Sequence, residues 1–213
     1  MIIDDLSASG IIPVVSIDTA GHALPMAKAL TEGGLNIVEV TFRTEAAAIA
    51  IRVLRSEMPG LIVGAGTLLH PDQVDAAVDS GAQFGVAPGF NPKVVNRARQ
   101  RGFPFFPGVC TPTDIESALD LGCKVLKFFP AEAYGGLKTL RAISAPYLHL
   151  GVQFIPTGGM KLESVPDYLA QDYVLAVGGT WIAPAEFIRR EDWEEIHNLA
   201  QAAAHRIKHL DRG

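Results

Sequence analysis

The chain has 213 residues, of which 48% are hydrophobic and 19% charged, and its formal net charge is −5. That is enough apolar material for a sizeable core, and an acidic balance without a basic stripe argues against a nucleic-acid partner, while an anionic small molecule stays open because local groups outweigh net charge in a cleft. The opening MIIDDLSASG lacks the basic start and apolar run of a signal peptide, and no apolar stretch approaches the roughly 20 residues of a membrane span, so a cytoplasmic protein with no membrane partner is expected.

Residues 1–9 read as a short helix that would cap the base of the fold. Eight short apolar runs then alternate with longer amphipathic stretches. IIPVVSI leads into AGHALPMAKALTEGG. LNIVEVTF and LIVGAGT follow, the second ahead of HPDQVDAAVDSG, and then AQFGVAPG and FPFFPGV. TPTDIESALDLG reads as a helix started at Thr113 and stopped at Gly122. KVLKFFP, VQFIPTGG and YVLAVGGT complete the strands, and REDWEEIHNLAQAAAHRIKHL (190–210) reads as a long closing helix.

Strands alternating with helices imply a parallel sheet covered on its outer face. In about 200 residues, eight such units suit a small (β/α)8 barrel, with a doubly wound open sheet as the competitor. No linker, low-complexity segment or charge run divides the chain, so one domain is expected over residues 1–213. The two cysteines, Cys110 and Cys123, are too few for a disulfide framework and read as small buried or half-buried thiols.

Strand residues alternate faces, and barrel active sites sit at the C-terminal strand ends. In LNIVEVTF and the residues after it, Ile37, Glu39, Thr41 and Arg43 share a face, while Val38, Val40 and Phe42 form the apolar one. In LIVGAGT, Val63, Ala65 and Thr67 are expected to face inward, with Gly64 and Gly66 letting the neighbouring layer approach. In KVLKFFP, Val125, Lys127 and Phe129 share one face, and Leu126 and Phe128 the other. The opposite parity would send Lys127 outward, where Leu and Phe are wanted. Glu39 and Lys127 are thus charges inside a barrel, with Arg43 toward its mouth. Buried pairs of this kind stabilise poorly compared with apolar packing, so a pair at the open end points to function. PTGG (Pro156–Gly159) and VGGT (Val177–Thr180) end the last two strands. Open backbone N–H groups there, with helix N-termini behind them, suit a phosphate.

An inward lysine in an apolar barrel would be held partly as the neutral amine, since burial and the nearby Arg43 both disfavour the ammonium. A neutral amine attacks a ketone or aldehyde and forms an imine, and the protonated imine stabilises the carbanion left when an adjacent carbon–carbon bond breaks. That chemistry needs no metal or other cofactor, and none of the six histidines sits in a metal-ligand pattern. Glu39 is the available carboxyl group for the accompanying proton movements. An arginine beside the lysine suggests a substrate carboxylate. Together these predict a 2-oxo acid bearing a distal phosphate.

The motifs VEVTFRTE, VGAGT, VAPGF, FPGV, KFFPAE, PTGGM and VGGTW, in order over nearly the whole chain, resemble the 2-keto-3-deoxy-6-phosphogluconate (KDPG) and 2-keto-4-hydroxyglutarate (KHG) aldolase family. The resemblance implies a class I, metal-independent aldolase on a (β/α)8 barrel, usually a homotrimer, with a place in the Entner–Doudoroff pathway. It would cleave the phosphorylated sugar acid to pyruvate and glyceraldehyde 3-phosphate, with 4-hydroxy-2-oxoglutarate as a possible second substrate. Carried over by motif, Lys127 would form the imine and Glu39 would shuttle protons. Arg43 and Thr67 would hold the pyruvate carboxylate, with Pro88 and Phe129 shaping the pocket. Gly158, Gly159, Gly179 and Thr180 would take the phosphate, and Thr157 and Gly178 of the same motifs join the substrate-binding set. The chain departs from many relatives at PGVCT, which places Cys110 near the mouth, and at Thr180, where serine is common. Three other readings stay open: a phosphogalactonate aldolase, against which VTFRT and KFFPAE speak; a phosphate-binding isomerase or epimerase using Glu39 alone; and a catalytically silent barrel binding a sugar phosphate or a partner protein.

Overall fold

The computed structural model describes residues 2–208. It opens with helix α1 (Ile2–Ser9), and then strands and helices alternate: β1 (Ile11–Val15), α2 (Ala23–Glu32), β2 (Ile37–Thr41), α3 (Ala47–Glu57), β3 (Ile62–Gly66), α4 (Pro71–Asp79), β4 (Phe84–Val86) and α5 (Pro92–Gln100). The second half runs β5 (Phe105–Phe106), β6 (Gly108–Val109), α6 (Pro112–Asp120), β7 (Val125–Phe128), α7 (Gly136–Ser144), β8 (Gln153–Pro156), α8 (Val165–Leu169), β9 (Val177–Gly179), α9 (Ala185–Arg189) and α10 (Trp193–Lys208).

The fold is α/β with parallel pairing throughout. A curled six-stranded sheet has the order β5-β4-β3-β2-β1-β9, and a three-stranded sheet has the order β6-β7-β8. Single bridges, Phe154 to Val174 and Thr157 to Gly178, link the two at β8 and β9. FPFFPGV, expected as one strand, is divided at Pro107. Proline has no N–H for the ladder, so only its carbonyl is used, accepting from the Lys127 N–H at 2.9 Å.

Burial separates the two faces of the strands. One apolar cluster lies within the curve and includes Ile12, Ile37, Phe84, Val125 and Ile155, with Leu6 of α1 buried among them. The larger cluster packs the outward faces of the strands against the helices and includes Val38, Val40, Leu126 and Phe128. The parities expected for β2 and β7 are the observed ones.

Two helix boundaries differ from expectation. The helix α6 is capped by Thr111, not Thr113: Asp114 N–H donates to Thr111 Oγ1 at 3.2 Å, and Thr111 N–H donates to Asp114 Oδ2 at 2.9 Å. Pro112 is suited to the first helical position and so sets the cap at Thr111, two residues ahead of Thr113. The closing helix begins at Trp193 rather than 190, because Glu191 takes a left-handed φ of 57° and breaks the run; His209 and Leu210 lie outside the described residues. No helix among the described residues is long and apolar enough to cross a membrane.

Candidate active site

Strand β2 carries Glu39 and strand β7 carries Lys127 into the interior, where they are 3% and 5% exposed. Lys127 Nζ donates to Glu39 Oε1 at 3.3 Å, and its ammonium lies 5.5 Å from the centre of the Phe129 ring. Further along β2, the buried Thr41 donates from Oγ1 to the Val15 carbonyl at 2.9 Å, and Arg43 Nε donates to Thr41 Oγ1 at 3.2 Å. Arg43 itself is exposed at the mouth, so one chain of contacts runs from the interior of β2 to its rim.

The parity of β3 is the reverse of the expected one. Val63 and Ala65 pack outward against the helices, and Gly64 and Gly66 face the interior. The reason is room. A Cβ on Gly64 would lie 2.2 Å from the Phe84 ring, and one on Gly66 would lie 2.0 Å from Glu39 Oε1. Glycine at 66 is what leaves space for the carboxylate. Thr67 nevertheless lines the cavity, because it follows the strand with a left-handed φ of 60° that turns it back. A β-branched residue rarely adopts that conformation.

A cavity of about 250 Å³ opens over the pair. Eleven of the predicted site residues line it: Glu39, Arg43, Thr67 and Pro88 on one side, Lys127 and Phe129 below, and Thr157, Gly158, Gly159, Gly179 and Thr180 on the other side. Gly178 is the exception. It sits behind Thr157, where a Cβ would come 2.4 Å from Thr157 Oγ1. Gly158 and Gly159 have left-handed φ values of 99° and 75°, and no hydrogen bond among the described residues uses the N–H of either. Their loop is tied from the other side by Ala131 N–H to the Thr157 carbonyl at 2.8 Å and Glu132 N–H to the Gly158 carbonyl at 3.0 Å.

Four cavity residues were not singled out from the sequence: Val14, Thr41, Met160 and Lys161. The alternation of β1 and β2 already puts Val14 and Thr41 on the inner face. Met160 and Lys161 directly follow PTGG, where the reading stopped at the glycines. Cys110 does not line the cavity; its N–H donates to Asp114 Oδ2 at 3.0 Å and its thiol lies 3.6 Å from the same oxygen. The helix N-termini expected behind the two glycine pairs contribute little, because α8 and α9 are only five residues long and begin well past Gly159 and Thr180. Among the described residues, no group of three or more His, Cys, Asp or Glu is placed to hold a metal ion.

A carboxylate and an amine in contact, both almost wholly buried, can exchange a proton, which leaves an amine lone pair beside a neutral acid. The comparisons with known proteins agree with that chemistry. A family model described as KDPG and KHG aldolase matches residues 2–199. The chain is 44% identical over 207 residues to a 2-dehydro-3-deoxy-phosphogluconate aldolase of Haemophilus influenzae, covering 97% of each chain. It superposes with a TM-score of 0.90 on a KDPG aldolase of Legionella pneumophila holding pyruvate as a covalent carbinolamine, at 36% identity, covering 95% of this chain and 98% of the other. A 2-keto-3-deoxy-6-phosphogluconate aldolase of Zymomonas mobilis with 3-phosphoglycerate gives 0.88 at 38% identity, covering 99% and 97%.

Proposed function

The chain belongs to the KDPG and KHG aldolase family, and from that premise we propose how its own residues carry out the reaction. It is a class I aldolase, a lyase of carbon–carbon bonds, cleaving 2-keto-3-deoxy-6-phosphogluconate reversibly to pyruvate and glyceraldehyde 3-phosphate. Lys127, relieved of a proton by Glu39, attacks the C2 carbonyl to give a carbinolamine, and Glu39 returns a proton as water leaves to form the imine. Glu39 then takes the proton of the C4 hydroxyl. The C3–C4 bond breaks, its electron pair enters the protonated imine, and the aldehyde departs. The resulting enamine is protonated at C3, and water releases pyruvate and the free amine. Electrons and protons balance without a metal or other cofactor.

Arg43 and Thr67 hold the carboxylate of the 2-oxo acid, and Pro88 and Phe129 confine the three-carbon unit between them and Lys127. Thr157, Gly158, Gly159, Gly179 and Thr180 receive the phosphate, with Gly178 supporting Thr157. The bridges from β8 to β9, and the lone Pro107 between β5 and β6, favour reading the strands as eight positions of one closed (β/α)8 barrel and one domain, capped at its base by α1. A cytoplasmic homotrimer acting in the Entner–Doudoroff pathway, with KHG cleavage as a second activity, completes the reading.

The observation that carries it is the buried 3.3 Å contact between Lys127 and Glu39 under the mouth that Arg43 and Thr67 line. Borohydride reduction in the presence of pyruvate is expected to add one reduced pyruvate unit to Lys127, located by peptide mass mapping. Folded protein that turns over substrate without such an adduct would overturn the mechanism. Cleavage that survives Lys127→Arg would point instead to an isomerase-like use of Glu39 alone.

A further inference from the structure

On the aldolase reading, the phosphate rests against Thr157–Gly159 and Gly179–Thr180, whose donors are all neutral backbone and hydroxyl groups. The short α8 and α9 add little dipole there. The cavity's other cations are engaged elsewhere: Lys127 with Glu39, and Arg43 with Thr41 on β2. Glu132 stands behind Gly159, where a Cβ would lie 2.8 Å from Glu132 Cβ, but its carboxylate is turned to Tyr168, Oε1 accepting from Tyr168 Oη at 2.7 Å, and it does not line the cavity. A dianion brought to this cradle would thus meet neutral donors alone.

One further residue lining the cavity carries a cationic side chain. Lys161 follows the glycine loop, lines the cavity and is exposed. Its backbone is fixed, because its carbonyl accepts from Ser164 N–H at 3.1 Å and Ser164 Oγ at 2.9 Å. No ion pair among the described residues includes its ammonium.

We infer that Lys161 is a specificity residue whose ammonium supplies the charge the cradle lacks and so makes the enzyme favour a phosphorylated over an unphosphorylated sugar acid. The inference rests on the aldolase reading of the same cavity. An ammonium at the solvent-exposed lip attracts a dianion across a short, partly screened gap. Its removal therefore costs about 5- to 30-fold in the discrimination at low salt, and less as salt rises.

The test compares the 6-phosphorylated sugar acid with the same acid lacking phosphate, in wild type, Lys161→Met and Lys161→Arg. In the methionine variant, the ratio of the two kcat/KM values is expected to fall by that factor, through KM of the phosphorylated substrate. The Ki of inorganic phosphate should rise in parallel, and arginine should restore both. An unchanged ratio in folded Lys161→Met, or an equal loss for both substrates, would overturn the inference. Borohydride trapping of pyruvate on the wild type separates the two levels: a missing adduct defeats the aldolase reading, whereas an intact adduct with an unchanged ratio defeats only the role of Lys161.

Discussion

Lys127 Nζ and Glu39 Oε1 meet at 3.3 Å although β7 and β2 stand in different sheets and share no ladder. The contact crosses the interior, where both side chains are almost fully desolvated. Desolvating two charges costs more than an apolar pair would, so this contact is maintained for its chemistry and leaves a measurable mark on stability.

That mark is the first prediction. Lys127→Met should abolish cleavage and, by leaving Glu39 buried without its partner, lower stability by about 3–5 kcal/mol. Combining it with Glu39→Leu should recover most of the loss while the protein stays inactive. Equilibrium urea unfolding of the two variants decides it. Equal stability of single and double variants would mean that Glu39 is hydrated where it sits.

Gly66→Ala tests the same carboxylate from the neighbouring strand. Its new methyl would overlap Glu39 Oε1, so the carboxyl must leave its present position against Lys127 while Lys127 itself is not in the methyl's way. A displacement of about 1 Å is enough to cost about 100-fold in turnover. The variant should retain its fold and still trap pyruvate slowly, with the loss falling on kcat. Full activity would show that Glu39 has slack the packing does not suggest.

Thr67 stores backbone strain at the mouth. Thr67→Ala and Thr67→Gly both remove its hydroxyl, so both should raise KM for the 2-oxo acid. Only glycine is at ease at φ 60°. The glycine variant should therefore be more stable than the alanine variant by about 1 kcal/mol, the reverse of the usual order. Thermal melts of the pair provide the comparison, and the usual order would mean that the turn relaxes.

The misreading of β3 has the same origin as its function. In VGAGT the small residues alternate with one another, so hydrophobicity hardly distinguishes the two faces, and the wider Val63 and Ala65 look like the inner set. Facing inward is reserved for Gly64 and Gly66 because Phe84 and Glu39 occupy the space beside them, and those long-range neighbours leave no trace in the local pattern. Glu39 and Lys127 were legible for the opposite reason: each interrupts an apolar alternation, and that alternation fixes their direction. Thr67 lines the cavity through a left-handed turn rather than the pleat, although the parity from which an inward Thr67 was expected is not the observed one. The break at Pro107 and the short reach of α8 and α9 depend on tertiary pairing, and the runs of apolar residues could not specify them.

The last prediction concerns acid stability. Burial opposes ionisation of Asp114, but the N–H of Cys110, the groups of Thr111 and the Cys110 thiol outweigh it and hold its carboxyl below the usual carboxylate range. Asp75 is shifted the same way, first by its hydrogen bond from Arg97 and then by Arg101. A folded-state value below the unfolded one, near 3.9 for aspartate, means the stabilisation is complete above about pH 4 and is lost as pH falls through the folded value. Asp114→Asn removes the charged acceptor of the α6 capping box and should cost about 1 kcal/mol at neutral pH. Below about pH 4 the wild type loses the same contribution, so the two unfolding midpoints should converge as the solution is acidified. Midpoints that stay a constant distance apart from pH 7 down to pH 3 would show that the hydrogen bonds to Asp114 do not depend on its charge.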